Sequence, residues 1–559
     1  MKKWAYLGLV ATLALSLAAC GGGGDGDKTE TTGEKPAAST ELADEQVFHT
    51  VVDQEMSSAD LSLNTDVVGG LVLNNIYEGM YRFDGDNELV PAGAIEDPEV
   101  SDDGLTYTFK LREESKWSNG DPVTADDYVY GWQRTVDPKT ESEFAYLHSI
   151  VKNGEAIANG EMEPSELGIK ALSDYELEVV LEVPTPYFMN LLTFSTYFPQ
   201  HKETVEEYGK DFASTSEKAV YNGPFILTDF DGPGTDTDWT YKKNDSYWDK
   251  DNVKLETITA QVQKEGNTSL NLYQAGDVDD IRLTGELAQQ MADDPDLVIE
   301  KQASTYYLEL NQIEKDSIFR NEDMRKAISL SIDRDAIATN ILGDGSVAAS
   351  GLVPSEMMFD PESGKDFAEE AGNQLKFDDK TAKEHWEKAK KDLGKDEIEV
   401  EILASDADWA KKVAEYLQGA LEENLDGIKV SVSAVPLSVR IDRSNNGEFD
   451  IVVGGWSADY ADSSSFQELF TTGNSYNRGH YSNKEYDDKI KEAATTYAND
   501  PEKRFATLVE AEKIIMGDLG IVPLYQTAEA HLRNPQIQGV AIHPAGASYD
   551  YKWAYRTAE

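Results

Sequence analysis

Residues 449–470 read FDIVVGGWSADYADSSSFQELF. Phe449-Asp450-Ile451-Val452-Val453 carries the β-branched run of a short buried strand. Gly454-Gly455 then strips the strand of side chains, so that a second backbone can come close. Trp456 adds a broad flat surface, and Ser457-Ala458-Asp459-Tyr460 leaves the strand with a carboxylate near its end. Ser463-Ser464-Ser465 offers caps for a helix that opens near Phe466. Two readings stand. One is a strand running into a turn that carries a Trp and an Asp. The other is a ligand site built from a bare strand edge, an aromatic wall and an anionic anchor. An extended peptide would add to that edge and set its amino terminus on the carboxylate.

Working outward, the preceding segments alternate strand, helix and strand at 397–403, 409–425 and 429–435, after an amphipathic helix at 381–393. That order predicts an α/β lobe. Helices are expected at 486–497 and 501–515, a strand at 521–525, and an aromatic closing strand at 549–555 that should be tied down. Towards the amino terminus, period-two patterns predict strands at 306–310, 172–183, 105–112 and 47–52. Leu71, Asn74, Asn75 and Glu78 suit a helix that turns Ile76 and Met80 inward. Thr124 and Asp127 form a capping box, and the helix behind it places Tyr128 and Trp132 on one stripe.

With 559 residues and 40% hydrophobic content, the chain can fill two or three domain cores. Its formal charge of −55 is spread along the sequence and opposes nucleic acid or anionic lipid as a partner surface. Cys20 is the sole cysteine, so no intrachain disulfide forms. Lys2-Lys3, a mostly apolar run from Trp4 to Leu17, and small residues before Cys20 look like a bacterial lipobox. Residues 1–19 then read as a signal peptide and 20–46, rich in Gly, Thr and acids, as a tether from lipidated Cys20. The alternative is an ordinary signal peptide with a chance cysteine.

Enzyme signatures are sparse. The seven histidines form no HExxH pair, and neither a GxxxxGK[ST] loop nor a GxSxG elbow occurs. A carboxylate pair for glycoside chemistry can be neither picked out nor excluded in so acidic a chain. Asp229, Asp231, Asp236 and Asp238 share a Gly/Pro-rich loop without EF-hand spacing, and read as a solvated acidic loop.

Several motifs together resemble the solute-binding proteins of family 5, the oligopeptide-binding components of ABC importers. They are GGWSADYADSSSF at 454–466, YEGMYR at 77–82, TYTFKLREESKWSNGDPVTADDYVYGWQR at 106–134, YNGPF at 221–225, KNDSYW at 243–248, LNLYQAGDVD at 270–279 and DMRKAISLSIDRDAI at 323–337. The resemblance implies a two-lobed, periplasmic-binding-protein-like α/β fold with a hinge. Its first lobe would be 47–310 with a subdomain at about 83–205, its second lobe 311–522, and 523–559 would return to the first. It implies a monomeric, lipid-anchored, extracytoplasmic peptide receptor, without cofactor or catalysis, that serves a membrane permease. A signalling peptide fits as well as a nutrient one. By the same resemblance Asp459 holds the ligand's α-ammonium, the backbone of Gly455 to Ser457 bonds its main chain, Trp456 and Tyr130 wall its side chains, and Val67 adds a backbone contact. Val453 stands where some oligopeptide binders carry an Arg, which leaves peptide length open. Relatives that bind nickel complexes, haem or sugars, or a secreted hydrolase, are the alternative readings.

Overall fold

The computed structural model describes residues 41–558 except 374 and 544. The expected signal peptide, Cys20 and most of the expected tether lie outside the described residues.

One wide mixed sheet organises the fold. From edge to edge its strands are Ile428–Val435, Ile398–Ser405, Ile451–Ser457, Leu297–Leu310, Ile521–Arg533, Asp280–Leu283, Val47–Val52, Thr257–Val262, Asp238–Lys243 and Phe225–Thr228, with Val347–Ala348 added beside Ile521–Arg533. The first three pair in parallel, and helix Asp408–Asn424 supplies the crossover between Ile398–Ser405 and Ile428–Val435. Val47–Val52 lies parallel to Thr257–Val262 and Asp280–Leu283.

Leu297–Leu310 and Ile521–Arg533 form an antiparallel ribbon through the middle, much longer than the strands expected at 306–310 and 521–525. Its register shifts between Lys301 and Thr305, and that bulge breaks the alternation from which strands are read. The two halves of the ribbon serve different cores. Ala530 and Leu532 pack with Ile281 and Leu283. Leu308, Leu310, Val522, Leu524 and Tyr525 pack instead with Ile451, Val453 and Trp386. The chain therefore enters the second core before 311 and is still in it after 523.

A separate four-stranded antiparallel sheet has the order Glu99–Val100, Thr106–Lys110, Glu176–Val180, Ile169–Ser173. Residues 172–183, expected as one strand, hold the end of the first arm, the turn and the second arm of a hairpin, because Asp174-Tyr175 reverses the chain. Helix Ala125–Val136 packs on this sheet with Tyr128 and Trp132 buried, and Thr124 N–H donates to Asp127 Oδ2 at 2.7 Å as the capping box requires. The closing aromatic segment is two short strands rather than one. Tyr549–Asp550 pairs with Ala541–Ile542, and Tyr555–Arg556 pairs with Ile537–Gln538.

Among the described residues no helix is long and apolar enough to cross a membrane.

Candidate functional site

The strand Ile451–Ser457 forms where Ile451, Val452 and Val453 bury their side chains. On one side it pairs with Leu297–Leu310 along its whole length, from Ile451 opposite Leu310 to Ser457 opposite Ser304. On the other side it pairs with Ile398–Ser405 only at Ile451 and Val452. Residues 453–457 thus present an edge with no strand beside it, and these same residues line a cavity of about 160 Å³. That is an order of magnitude more than the roughly 10–15 Å³ that holds one water. Gly455 is exposed on this edge, and a Cβ there would stand 2.8 Å from the Tyr306 ring. Tyr306 is held by stacking on Tyr525 at 5.1 Å. The glycine is therefore required by its neighbour as well as suited to an incoming backbone.

Trp456 turns inward against Tyr476 (4.6 Å) and Phe144 (6.0 Å), and its Nε1 has no hydrogen-bond partner in the protein. Two residues past the strand, the Asp459 N–H donates to Ser465 Oγ at 2.9 Å, which fixes the turn. This is the use made of the serine run: Ser463 is the N-cap of Ser464–Gln467 by position but makes no side-chain capping bond. The Asp459 carboxylate is 4% exposed, and its Oδ2 has no partner in the protein. Burial, and then the nearby Glu468, hold its carboxyl well above the usual aspartate range. Glu468 is itself pushed up to about 7 by burial.

The cavity wall combines distant segments. Val67 and Asp66 come from the start of helix Val67–Ile76, Phe144 and Phe194 from the segment expected as a subdomain, and Trp409 and Arg440 from two helices of the α/β part. Aromatic contacts tie the segment expected as a subdomain to residues beyond the strand, with Tyr187 stacked on Tyr460 at 4.4 Å and Phe144 against Tyr476 at 5.4 Å.

Val67, Gly455, Trp456, Ser457 and Asp459 are thus brought to one cavity. Tyr130 is not. It lies across its helix from the buried Tyr128–Trp132 stripe, half-buried, with Lys202 Nζ 5.9 Å from its ring. Phe144 and Arg440 also line the cavity and were not anticipated. Arg440 did leave a signal. In helix Leu437–Asn445 the buried residues are Leu437, Ile441 and Ser444, and Arg440 falls on that stripe, where an apolar residue is expected. Its guanidinium makes no hydrogen bond to the protein, and burial followed by Arg478 pushes it down to about 10.

Other motifs are structural. Glu78 accepts from Arg82 at 2.8 Å, from Trp248 Nε1 at 2.6 Å and from the Tyr247 hydroxyl, while Arg82 Nη2 reaches Asp550 at 2.8 Å. YEGMYR and KNDSYW therefore meet in one buried cluster with the closing segment.

The model of the family described as bacterial extracellular solute-binding proteins, family 5 Middle, matches residues 88–478. The dipeptide-binding protein of Lactococcus lactis subsp. cremoris is 37% identical, over 99% of this chain and all of that one. The peptide-bound structure of Listeria monocytogenes OppA superposes with a TM-score of 0.89 at 42% identity, covering 92% of this chain and all of that one. The substrate-binding domain of an oligopeptide ABC transporter from Bacillus anthracis also gives 0.89, at 41% identity, with 93% and 100% covered.

Proposed function

The chain belongs to the bacterial extracellular solute-binding proteins of family 5, and we propose that it captures extended oligopeptides between two lobes and delivers them to a membrane ABC permease. The observation that carries this reading is the unpaired edge of residues 453–457, which ends beside a buried carboxylate with no partner in the protein. A peptide laid on that edge would bond through its main chain, which does not read its sequence. Asp459 would then pair with its α-ammonium. The peptide-bound Listeria relative supports the same ligand class.

In this reading the lobes pivot on the central ribbon at its register break, near 302–304 and 527, rather than at 311 and 523. The lipobox supports attachment to the cell membrane through Cys20, with a tether long enough to leave a monomeric receptor free to move. The receptor carries out no catalysis of its own.

Calorimetry of the full chain, unfolded and refolded to strip any carried ligand, tests the reading. The titrants are a short mixed peptide pool and the same pool acetylated at its amino termini. Binding of the free pool alone is expected. Equal binding of both removes Asp459 from its role, and binding of neither overturns the peptide reading.

A further inference from the structure

Residues 53–56 follow strand Val47–Val52 directly, and each makes a different contact. Gln54 lines the cavity. On either side of it, Asp53 Oδ2 accepts from Trp409 Nε1 at 2.8 Å, and Glu55 Oε2 lies 3.1 Å from Lys264 Nζ. Lys264 Nζ also reaches Asp406 Oδ1 at 2.7 Å. The Met56 carbonyl accepts from the Gly234 N–H at 2.7 Å. By the proposed division, residues 53–56, 234 and 264 belong to the first lobe, and Asp406 and Trp409 to the second. Both groups sit past the carboxyl ends of parallel strands. Residues 53–56 and Lys264 follow Val47–Val52 and Thr257–Val262, and Asp406 follows Ile398–Ser405. Trp409 also meets Tyr306 of the central ribbon at 4.9 Å, so these contacts begin beside the proposed pivot.

Gly234 carries the row further. It lies in the acidic Gly/Pro-rich loop 229–237, between strands Phe225–Thr228 and Asp238–Lys243. Its φ is +72°, and a Cβ there would stand 3.1 Å from Ser438 Oγ. The bare backbone of this first-lobe loop therefore rests against the start of the second-lobe helix Leu437–Asn445. At the far end of the same helix, Asn445 Nδ2 donates to Glu143 Oε1 at 2.6 Å. Arg440 and Ile441, between the two grips, line the cavity. The helix is thus a bar along the cavity wall, held at both ends by the other lobe.

The contacts of residues 53–56 can be broken without touching the cavity, because neither Lys264 nor Ser438 lines it. Lys264 is the one cation that pairs with Glu55 or Asp406 among the described residues. Without it, a first-lobe and a second-lobe carboxylate would face each other and repel. At Ser438, a larger side chain would meet the Gly234 backbone.

Resting on the peptide-receptor reading above, we propose that residues 53–56, with Lys264 and the loop 229–237, form a latch that holds helix Leu437–Asn445 and the Asp406–Trp409 segment against the first lobe, and that this latch sets how fast a bound peptide leaves. A peptide enclosed between lobes escapes when they part, and parting breaks the Asp53–Trp409, Lys264–Asp406 and Gly234–Ser438 contacts together. Weakening the latch speeds release while every group that touches the peptide stays in place.

The test follows release of an isotopically labelled short mixed peptide pool from the full chain, chased with the unlabelled pool and read by mass spectrometry. Lys264→Met keeps the aliphatic stem and leaves Glu55 and Asp406 to repel. Ser438→Tyr wedges the loop from the helix without changing any charge. Each should speed release about fivefold or more, whereas Ser438→Ala, which fits the space, should release at the wild-type rate. Adding Asp406→Asn to Lys264→Met removes the repulsion and should slow release again. Wild-type release from either Lys264→Met or Ser438→Tyr, in a chain that melts as the wild type does, overturns the latch and leaves the receptor reading standing. If one of the two fails to fold, the other decides. Binding of no peptide by the wild type overturns the receptor reading and the latch with it.

Discussion

Asp459 concentrates the chemistry of the site in one residue. A carboxylate as buried as that of Asp459 is costly to ionise without a counter-charge, and a peptide ammonium supplies one. Asp459→Asn keeps the shape and removes the charge. The ammonium would then be desolvated unpaired, at about 3–5 kcal/mol, so peptide affinity should fall roughly a hundredfold or more; calorimetry showing near-unchanged binding would contradict the assignment. A proton should move as well. Burial and Glu468 raise the Asp459 carboxyl above its ordinary range in the free protein, whereas a bound ammonium favours the ionised form. Peptide binding therefore releases a proton, and affinity rises with pH until the free carboxyl is already ionised, then levels off. Titration at several pH values, each in two buffers of different ionisation heat, should show this release in the wild type and a smaller one in Asp459→Asn. Identical heats in both buffers for the wild type would rule out the coupling.

Between elements, buried charge does the joining. Glu78 lies just beyond helix Val67–Ile76, Arg82 in strand Tyr81–Phe83, and Asp550 in strand Tyr549–Asp550, far away in sequence. Glu78, Arg82 and Asp550 are each under 5% exposed, and Arg82 bridges the two acids at 2.8 Å each. Arg82→Met fills similar space but strands two buried carboxylates. Loss of one partner of a buried pair costs about 3–5 kcal/mol, so the urea midpoint should drop sharply. A change under ~1 kcal/mol would show that water or protonation relieves the acids. This cluster explains why YEGMYR and KNDSYW are recognisable without touching the cavity: they tie the closing segment to the first part of the sheet.

Across the whole molecule, closure of the cleft is held partly by polar contacts at its rim. Glu143 accepts from Asn445 at 2.6 Å and from Arg478 at 3.1 Å, and its backbone carbonyl takes the Ser475 hydroxyl at 2.9 Å. By the proposed division these contacts join the two lobes. Both members of the ion pair keep some solvent exposure, so the pair contributes modestly, about 1 kcal/mol. Glu143→Gln should enlarge the radius of gyration of the peptide-free protein in small-angle scattering and weaken peptide binding two- to tenfold. A wild-type radius unchanged by added peptide would argue against lobe closure itself.

The sequence by itself determined a good deal. The strand at 47–52, the Thr124–Asp127 capping box, the parallel α/β segment and the path from Ile451 to Asp459 follow from local periodicity and short-range chemistry, which act between residues a few positions apart. Only the tertiary structure decided the rest. The ribbon Leu297–Leu310 with Ile521–Arg533 exceeds its alternating pattern because a bulge interrupts the period while the pairing continues. Tyr130 and Arg440 exchange places in the account for a related reason. Periodicity says which face of a helix turns inward, but whether that face meets a core or a cavity depends on segments hundreds of residues away. Tyr130 stands off its helix's inward stripe, whereas Arg440 stands on one that opens beside Gly454 and Trp456.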